Sequence, residues 1–215
     1  MTKPGFDKQD VPAVAVPRLT LYLRKLRDLE SQGVARVSSR DLADMIGFNA
    51  AQIRKDLSYL GEFGTRGVGY EVARLVEEIE GCLGLNRAWS VVIVGAGLLG
   101  TALARYRGFS EQGFRLVGLF DSAEAVVGTS YGEGLVRSVE ELEEVCRRGR
   151  VDIAMVTVPA AAAAETVARL GGMGVKAILN FAPVKVHAPE GTLVRQVDLS
   201  SELMSLTYFL QRGEN

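Results

Sequence analysis

Leu19, Tyr22, Leu23, Leu26 and Leu29 follow one another at steps of three and four, which gathers them on one side of a helix that Pro17 opens and Gly33 closes. Ser38 and Ser39 offer N-caps to a short second helix, DLADMIG, and Asn49 caps a third, AAQIRKDLSYLG, which Gly61 ends. In the third helix Ile53, Leu57 and Leu60 form the apolar side, so Gln52, Arg54, Lys55, Ser58 and Tyr59 are expected to face mostly outward. The next ten residues, GEFGTRGVGY (61–70), set Gly61, Gly64, Gly67 and Gly69 among Phe63, Val68 and Tyr70. That composition predicts a tight hairpin with Thr65 and Arg66 at an exposed tip.

Beyond residue 85 the helical period gives way to short β-branched runs separated by amphipathic stretches. SVVIV (90–94), RLVGLF (115–120), VDIAMVTV (151–158) and VKAILNF (175–181) read as strands, and TALARYRGF, SVEELEEVCRRG and AAAAAETVARLGGMG as helices. Strands alternating with helices predict an α/β fold of the Rossmann kind, a doubly wound parallel sheet whose ligand lies at the C-terminal ends of the strands. A final helix is predicted over DLSSELMSLTYFLQ (198–211), with Leu203, Leu206 and Leu210 on one face. The chain therefore divides into residues 1–85, 86–195 and 196–215.

Three helices followed by a glycine-rich hairpin form the layout of a winged helix-turn-helix, whose third helix enters the major groove of DNA. Arg54 and Lys55 suit phosphates or guanine edges, Gln52 suits adenine, and Ser58 and Tyr59 suit phosphates. Residues 15–75 hold ten basic and seven acidic side chains, although the whole chain, with 25 basic and 26 acidic, is nearly neutral. A globally basic nucleic-acid binder is excluded and a local basic face is not.

The first strand of the second part runs into Gly95-Ala96-Gly97-Leu98-Leu99-Gly100. Glycines at that spacing let backbone N–H groups approach a pyrophosphate. Asp121 follows the second strand, 21 residues after Gly100, where a carboxylate accepts from both ribose hydroxyls and repels a 2′-phosphate, which favours NAD over NADP. Val158-Pro159 and Asn180 fall at other strand ends and join the candidate cofactor cleft.

One histidine, His187, and two cysteines, Cys82 and Cys146, do not supply a zinc site, so no metal is expected. Two unpatterned thiols and the lack of a long apolar run point to the cytosol, without a membrane span. Lys176, Lys185 and Tyr106 are not paired as nucleophile and base, so no catalytic residue is assigned and the dinucleotide reads as a signal. A small NAD-dependent oxidoreductase and a regulator sensing coenzyme A or another nucleotide are the alternatives.

QIRKDLSYLGEFGTRGVGY (52–70), VGAGLLGTALARY (94–106), ILNFAP (178–183) and VDLSSEL (197–203) resemble the Rex family of redox-sensing transcriptional repressors. The resemblance implies a homodimer with a C-terminal helix swapped between subunits. It implies binding to inverted-repeat operators of respiratory and fermentative genes, with release when NADH rises and NAD⁺ as the weaker competitor. Arg54, Lys55, Ser58, Tyr59, Thr65 and Arg66 are carried over by the resemblance onto DNA, and Ser38, Ser39 and Gln52 are expected beside them. Gly95, Gly97, Gly100 and Asp121 are carried over onto the dinucleotide, and Ala96, Leu98, Leu99, Tyr106, Val158, Pro159 and Asn180 are expected around them. Tyr106 and Asp198 match a pair that meets across subunits, and Arg24 matches the alternative partner of that aspartate. Leu98 departs from the family's asparagine or arginine, and Leu199 from a phenylalanine.

Overall fold

The computed structural model describes residues 11–61, 64, 68–149 and 151–213, and the chain divides into two compact units between Arg87 and Ala88. In the first unit α1 (Val16–Ser31) buries all five residues of its predicted stripe. Ser38 caps α2 (Ser39–Ile46) in a capping box with Asp41, and the Asn49 side chain accepts from the Ala51 N–H to start α3 (Ala50–Ser58). Ile53, Leu57 and Leu60 are buried against α1 and its neighbours. Each such side chain contributes about 2 kcal/mol by leaving water.

A fourth helix, α4 (Val72–Leu83), completes this core with Val72, Leu75, Val76 and Ile79, and it packs on α1. The reading of three helices and a hairpin omits it. At the end of the run expected to form a hairpin, Tyr70–Glu71 (β2) pairs antiparallel with Arg36–Val37 (β1), upstream of α2, Val37 opposite Tyr70. Thr65 and Arg66, at the expected tip, lie outside the described residues.

The second unit runs β3 (Trp89–Val94), α5 (Leu98–Ala104), α6 (Gly108–Glu111), β4 (Phe114–Asp121), β5 (Arg137–Ser138), a turn of 3₁₀-helix (Val139–Glu141), α7 (Leu142–Gly149), β6 (Ile153–Val156), α8 (Ala160–Gly172), β7 (Ala177–Asn180), β8 (Leu193–Gln196) and α9 (Leu199–Arg212). The six strands are parallel in the order β5-β4-β3-β6-β7-β8. Alternate residues serve the two faces: Val92, Val94, Ala154 and Val156 pack with α7 and α8, whereas Val91, Ile93 and Met155 pack with Leu103 and Phe109. The order reverses between β3 and β6, and loops leaving those two strand ends diverge to open a crevice. Among the described residues no helix is long and apolar enough to cross a membrane.

Candidate functional site

The outward side of α3 carries Arg54, Lys55 and Ser58, all exposed, with Tyr59 half-buried. The Arg54 guanidinium reaches the Ser39 hydroxyl at 3.0 Å, which ties α3 to the first turn of α2. Burial pushes the Tyr70 phenol up, and the positive charge of Arg54 nearby pulls it down. Ser58 donates to the carbonyl of Lys55. These side chains form a basic, hydrogen-bonding surface around the capped start of α2, the arrangement that phosphate contacts require.

Asp56, within the same RKD triplet, does the opposite of a solvated charge. It is fully buried and its carboxylate accepts four hydrogen bonds: Arg18 Nε at 2.6 Å, Arg18 Nη2 at 2.8 Å, the Tyr22 hydroxyl at 2.8 Å and Gln52 Nε2 at 2.8 Å. Burial alone would raise its pKa, but the hydrogen bonds from Arg18, Tyr22 and Gln52 outweigh that and hold it below the usual carboxylate value. Burial and the bond to Asp56 push the Tyr22 hydroxyl up. The outward orientation expected for Gln52 is thereby corrected: its amide nitrogen turns inward to a carboxylate one helical turn away.

A group whose folded pKa is depressed adds stability above its unfolded value, and that stability is lost as pH falls through the folded value. Urea midpoints should therefore stay nearly level from neutrality to about pH 5 and drop steeply below the ordinary carboxylate value near ~3.9. The drop should be shallower in Asp56→Asn, which has no carboxylate at that position to protonate.

In the second unit the crevice between β3 and β6 is built around three glycines. Gly95 has φ +107, and a Cβ there would stand 2.7 to 2.9 Å from the Thr157 and Val158 backbone. At Gly100 a Cβ would fall on the Gly95 carbonyl oxygen. Around Gly97 there is open space. Thr157, which the sequence reading did not single out, fastens the turn through its hydroxyl to the Gly95 oxygen at 2.7 Å. Its signal is a hydroxyl at the end of a buried apolar strand.

Asp121 reaches the same turn. One carboxylate oxygen accepts from the Ala96 N–H at 2.6 Å and the other from the Ala123 N–H at 2.8 Å. An ionised carboxylate has about four acceptor sites, so two remain for further donors such as a ribose diol. Leu98 is 96% exposed at the start of α5 and Leu99 is partly exposed. Val158 and Pro159 lead into α8, whose first turns are exposed alanines apart from the buried Ala163. Small side chains and an open glycine backbone fit the close approach of a dinucleotide pyrophosphate.

Two further residues expected at the cofactor make side-chain contacts within the chain. Asn180 is fully buried and already engaged: its amide nitrogen donates to the Val184 carbonyl and to Gln196 Oε1, and its oxygen accepts from the Ala182 N–H. It closes the loop after β7. Tyr106 stacks edge-on against Phe109 at 5.0 Å and lines a cavity of about 720 Å³ with Val91, Ile93, Leu116 and Met155.

Asp198 caps α9: its carboxylate accepts from the Ser201 hydroxyl and from the Ser200 and Ser201 N–H groups, which hold its pKa down. Every residue of α9 is exposed, including Leu199, Leu203, Leu206, Phe209 and Leu210. Fourteen residues with a bare apolar face form a marginal helix in water, so the face requires a cover. Arg24 lies exposed on α1.

Two family descriptions match the chain: "Putative DNA-binding protein N-terminus" over residues 10–58 and "CoA binding domain" over residues 86–184. A redox-sensing transcriptional repressor Rex from Roseiflexus sp. (strain RS-1) is 47% identical over 207 residues, covering 96% of this chain and 94% of that protein. The crystal structure of RSP, a Rex-family repressor, in complex with β-NAD⁺ and operator DNA superimposes with a TM-score of 0.89 at 37% identity, covering 95% of this chain and 94% of that one. RSP in complex with β-NADH superimposes with a TM-score of 0.83 at 36% identity, covering 95% and 96%.

Proposed function

The chain belongs to the Rex family of redox-sensing transcriptional repressors, and from that premise we propose that it is a DNA-binding repressor which senses the NADH/NAD⁺ ratio in its second unit and answers through its first. The observation that carries the reading is the presence of both devices in one chain. A basic surface surrounds α3, and a glycine turn at the reversal of a parallel sheet leaves open space at Gly97. In this reading Arg54, Lys55, Ser58 and Tyr59 meet operator DNA with Ser38, Ser39, Thr65 and Arg66. Gly95, Ala96, Gly97, Gly100 and Asp121 hold the dinucleotide, flanked by Leu98, Leu99, Val158 and Pro159.

The nicotinamide ring is positively charged in NAD⁺ and neutral in NADH, and burying an unpaired charge costs several kcal/mol. A cleft of apolar side chains therefore favours the reduced form. The bare apolar face of α9 supports a homodimer in which each copy covers the other's α9. Closure of that dimer would bring Tyr106 of one copy to Asp198 of the other, and the DNA-competent arrangement would give Asp198 to Arg24 instead. The two recognition helices must match successive major grooves about 34 Å apart, so a change in their separation releases an inverted-repeat operator. Respiratory and fermentative genes of the cytoplasm are the targets this reading assigns.

A gel shift on an inverted-repeat duplex tests it: NADH should dissolve the complex and NAD⁺ should leave it. Equal displacement by the two forms would refute the sensor. Asp121→Ala should reduce NADH affinity roughly tenfold or more, the scale of a charge-assisted hydrogen bond, with DNA affinity near normal. Fluorescence titration with NADH and a parallel gel shift read both effects; lost DNA binding would assign Asp121 a structural role only. The match to a CoA-binding description favours a second reading, a coenzyme A sensor. Coenzyme A should fail to compete with NADH if the first reading holds.

A further inference from the structure

We propose that the buried Asp56 carboxylate fixes which end of the Gln52 amide faces DNA, so that Gln52 reads one base pair in each half-site through its carbonyl oxygen, accepting from an exocyclic amine. The inference rests on α3 being the DNA-reading helix. A free glutamine amide can present either end to a base pair and pairs with adenine through both. Gln52 does not have that choice. All four acceptor positions of Asp56 are taken, by Arg18 twice, by Tyr22 and by Gln52 Nε2 at 2.8 Å. A carboxylate only accepts, so the amide nitrogen must stay at the Asp56 end and the oxygen is driven away from the negative charge. Gln52 is half-buried, and its neighbours Ala51 and Lys55 are exposed, so the outer end of the amide reaches the surface that carries Arg54 and Lys55. In the major groove the donors on base edges are the adenine N6 and cytosine N4 amines. Guanine O6 and N7 and thymine O4 are acceptors and meet the wrong end of this amide. Asp56 acts through Gln52 and is a positioning residue.

The test uses the full chain and a pool of duplexes randomised over two adjacent half-sites, with the bound fraction sequenced. The wild type should favour an adenine or cytosine amine at one position per half-site by about fivefold or more, the scale of a base-edge hydrogen bond. Gln52→Ala should flatten that position and leave the other preferences in place. Asp56→Asn can donate to Gln52 Oε1 and turn the amide over, so the preference at that position should move to guanine or thymine. An unchanged base preference in Gln52→Ala, or a folded Asp56→Asn that keeps the wild-type preference, overturns the proposal. A readout in the wild type guards against loss of folding: the Gln52 side-chain N–H protons should exchange slowly with water in the free protein, and rapid exchange overturns the fixed orientation. Arg54→Ala and Lys55→Ala separate this inference from its premise. If neither weakens DNA binding, the reading of α3 fails; if both do and Gln52→Ala changes no preference, only the present inference fails.

Discussion

Gly100→Ala is expected to weaken the response to NADH strongly while Gly97→Ala weakens it by a different route. The added Cβ at residue 100 would fall on the Gly95 carbonyl oxygen and stand 2.7 Å from Thr157 Oγ1. That oxygen has nowhere to go: the Thr157 hydroxyl holds it, and the Gly95 N–H is bonded to the Phe120 carbonyl at 2.8 Å. The turn must open or α5 must shift away from the sheet. Forcing a methyl group into such packing costs about 1–3 kcal/mol and sometimes more, which corresponds to a loss of roughly 5- to 150-fold or more in affinity for any ligand that needs the turn intact. Gly97 has φ −67 and nothing within 4 Å of its would-be Cβ, so the chain itself accommodates alanine there. Only a ligand lying against that backbone would feel it. Thermal unfolding separates the two: Gly100→Ala should lower the melting temperature, Gly97→Ala should not, and both should bind NADH more weakly. A Gly97→Ala protein with unchanged NADH affinity would move the pyrophosphate away from this turn.

The glycine spacing and the α1 stripe were legible because each is a local pattern with a single geometric use. Leu19, Tyr22, Leu23, Leu26 and Leu29 are all buried as their period requires. Val72, Leu75, Val76 and Ile79 carry the same period, yet the helix has no capping side chain to mark its start and follows directly on a glycine-rich run whose local signal is a turn. β5 is two residues long and β8 is an edge strand with Leu193 exposed, so neither has the apolar run that marks a central strand. Asn180 sits at a strand end as its sequence position requires, but the partners that bury its side chain, Val184 in the following loop and Gln196 at the end of β8, are brought to it by tertiary packing. The site residues on α3 divide in the same way. Arg54 and Lys55 lie where their helical phase puts them, whereas the burial of Asp56 depends on Arg18, 38 residues earlier. A contact at that separation leaves no periodic trace.

Asp56→Ala should be the most damaging single change in the first unit. It removes the acceptor of two Arg18 bonds, one Tyr22 bond and one Gln52 bond, and Tyr22 has no access to water. Removing one partner of a buried pair costs about 3–5 kcal/mol because the group left behind is uncompensated. Against a total stability of about 5–15 kcal/mol this is a large share, and it should lower the melting temperature of the first unit by roughly 15–30 °C. Lys55→Ala, at an exposed position, should stay within about 0.5 kcal/mol of the wild type. NADH binding in the second unit of Asp56→Ala should persist below the new transition. A triple replacement, Arg18→Met with Tyr22→Phe and Asp56→Leu, distinguishes what the network is for. Apolar side chains of similar volume can match or exceed the stability of a buried ion pair, so the triple variant should recover much of the melting temperature. Its Gln52 amide would have no carboxylate to hold it and could present either end, so discrimination against guanine and thymine at that position should be lost. Recovery of both properties together would assign the network to stability alone, and recovery of stability without base preference would assign it to reading.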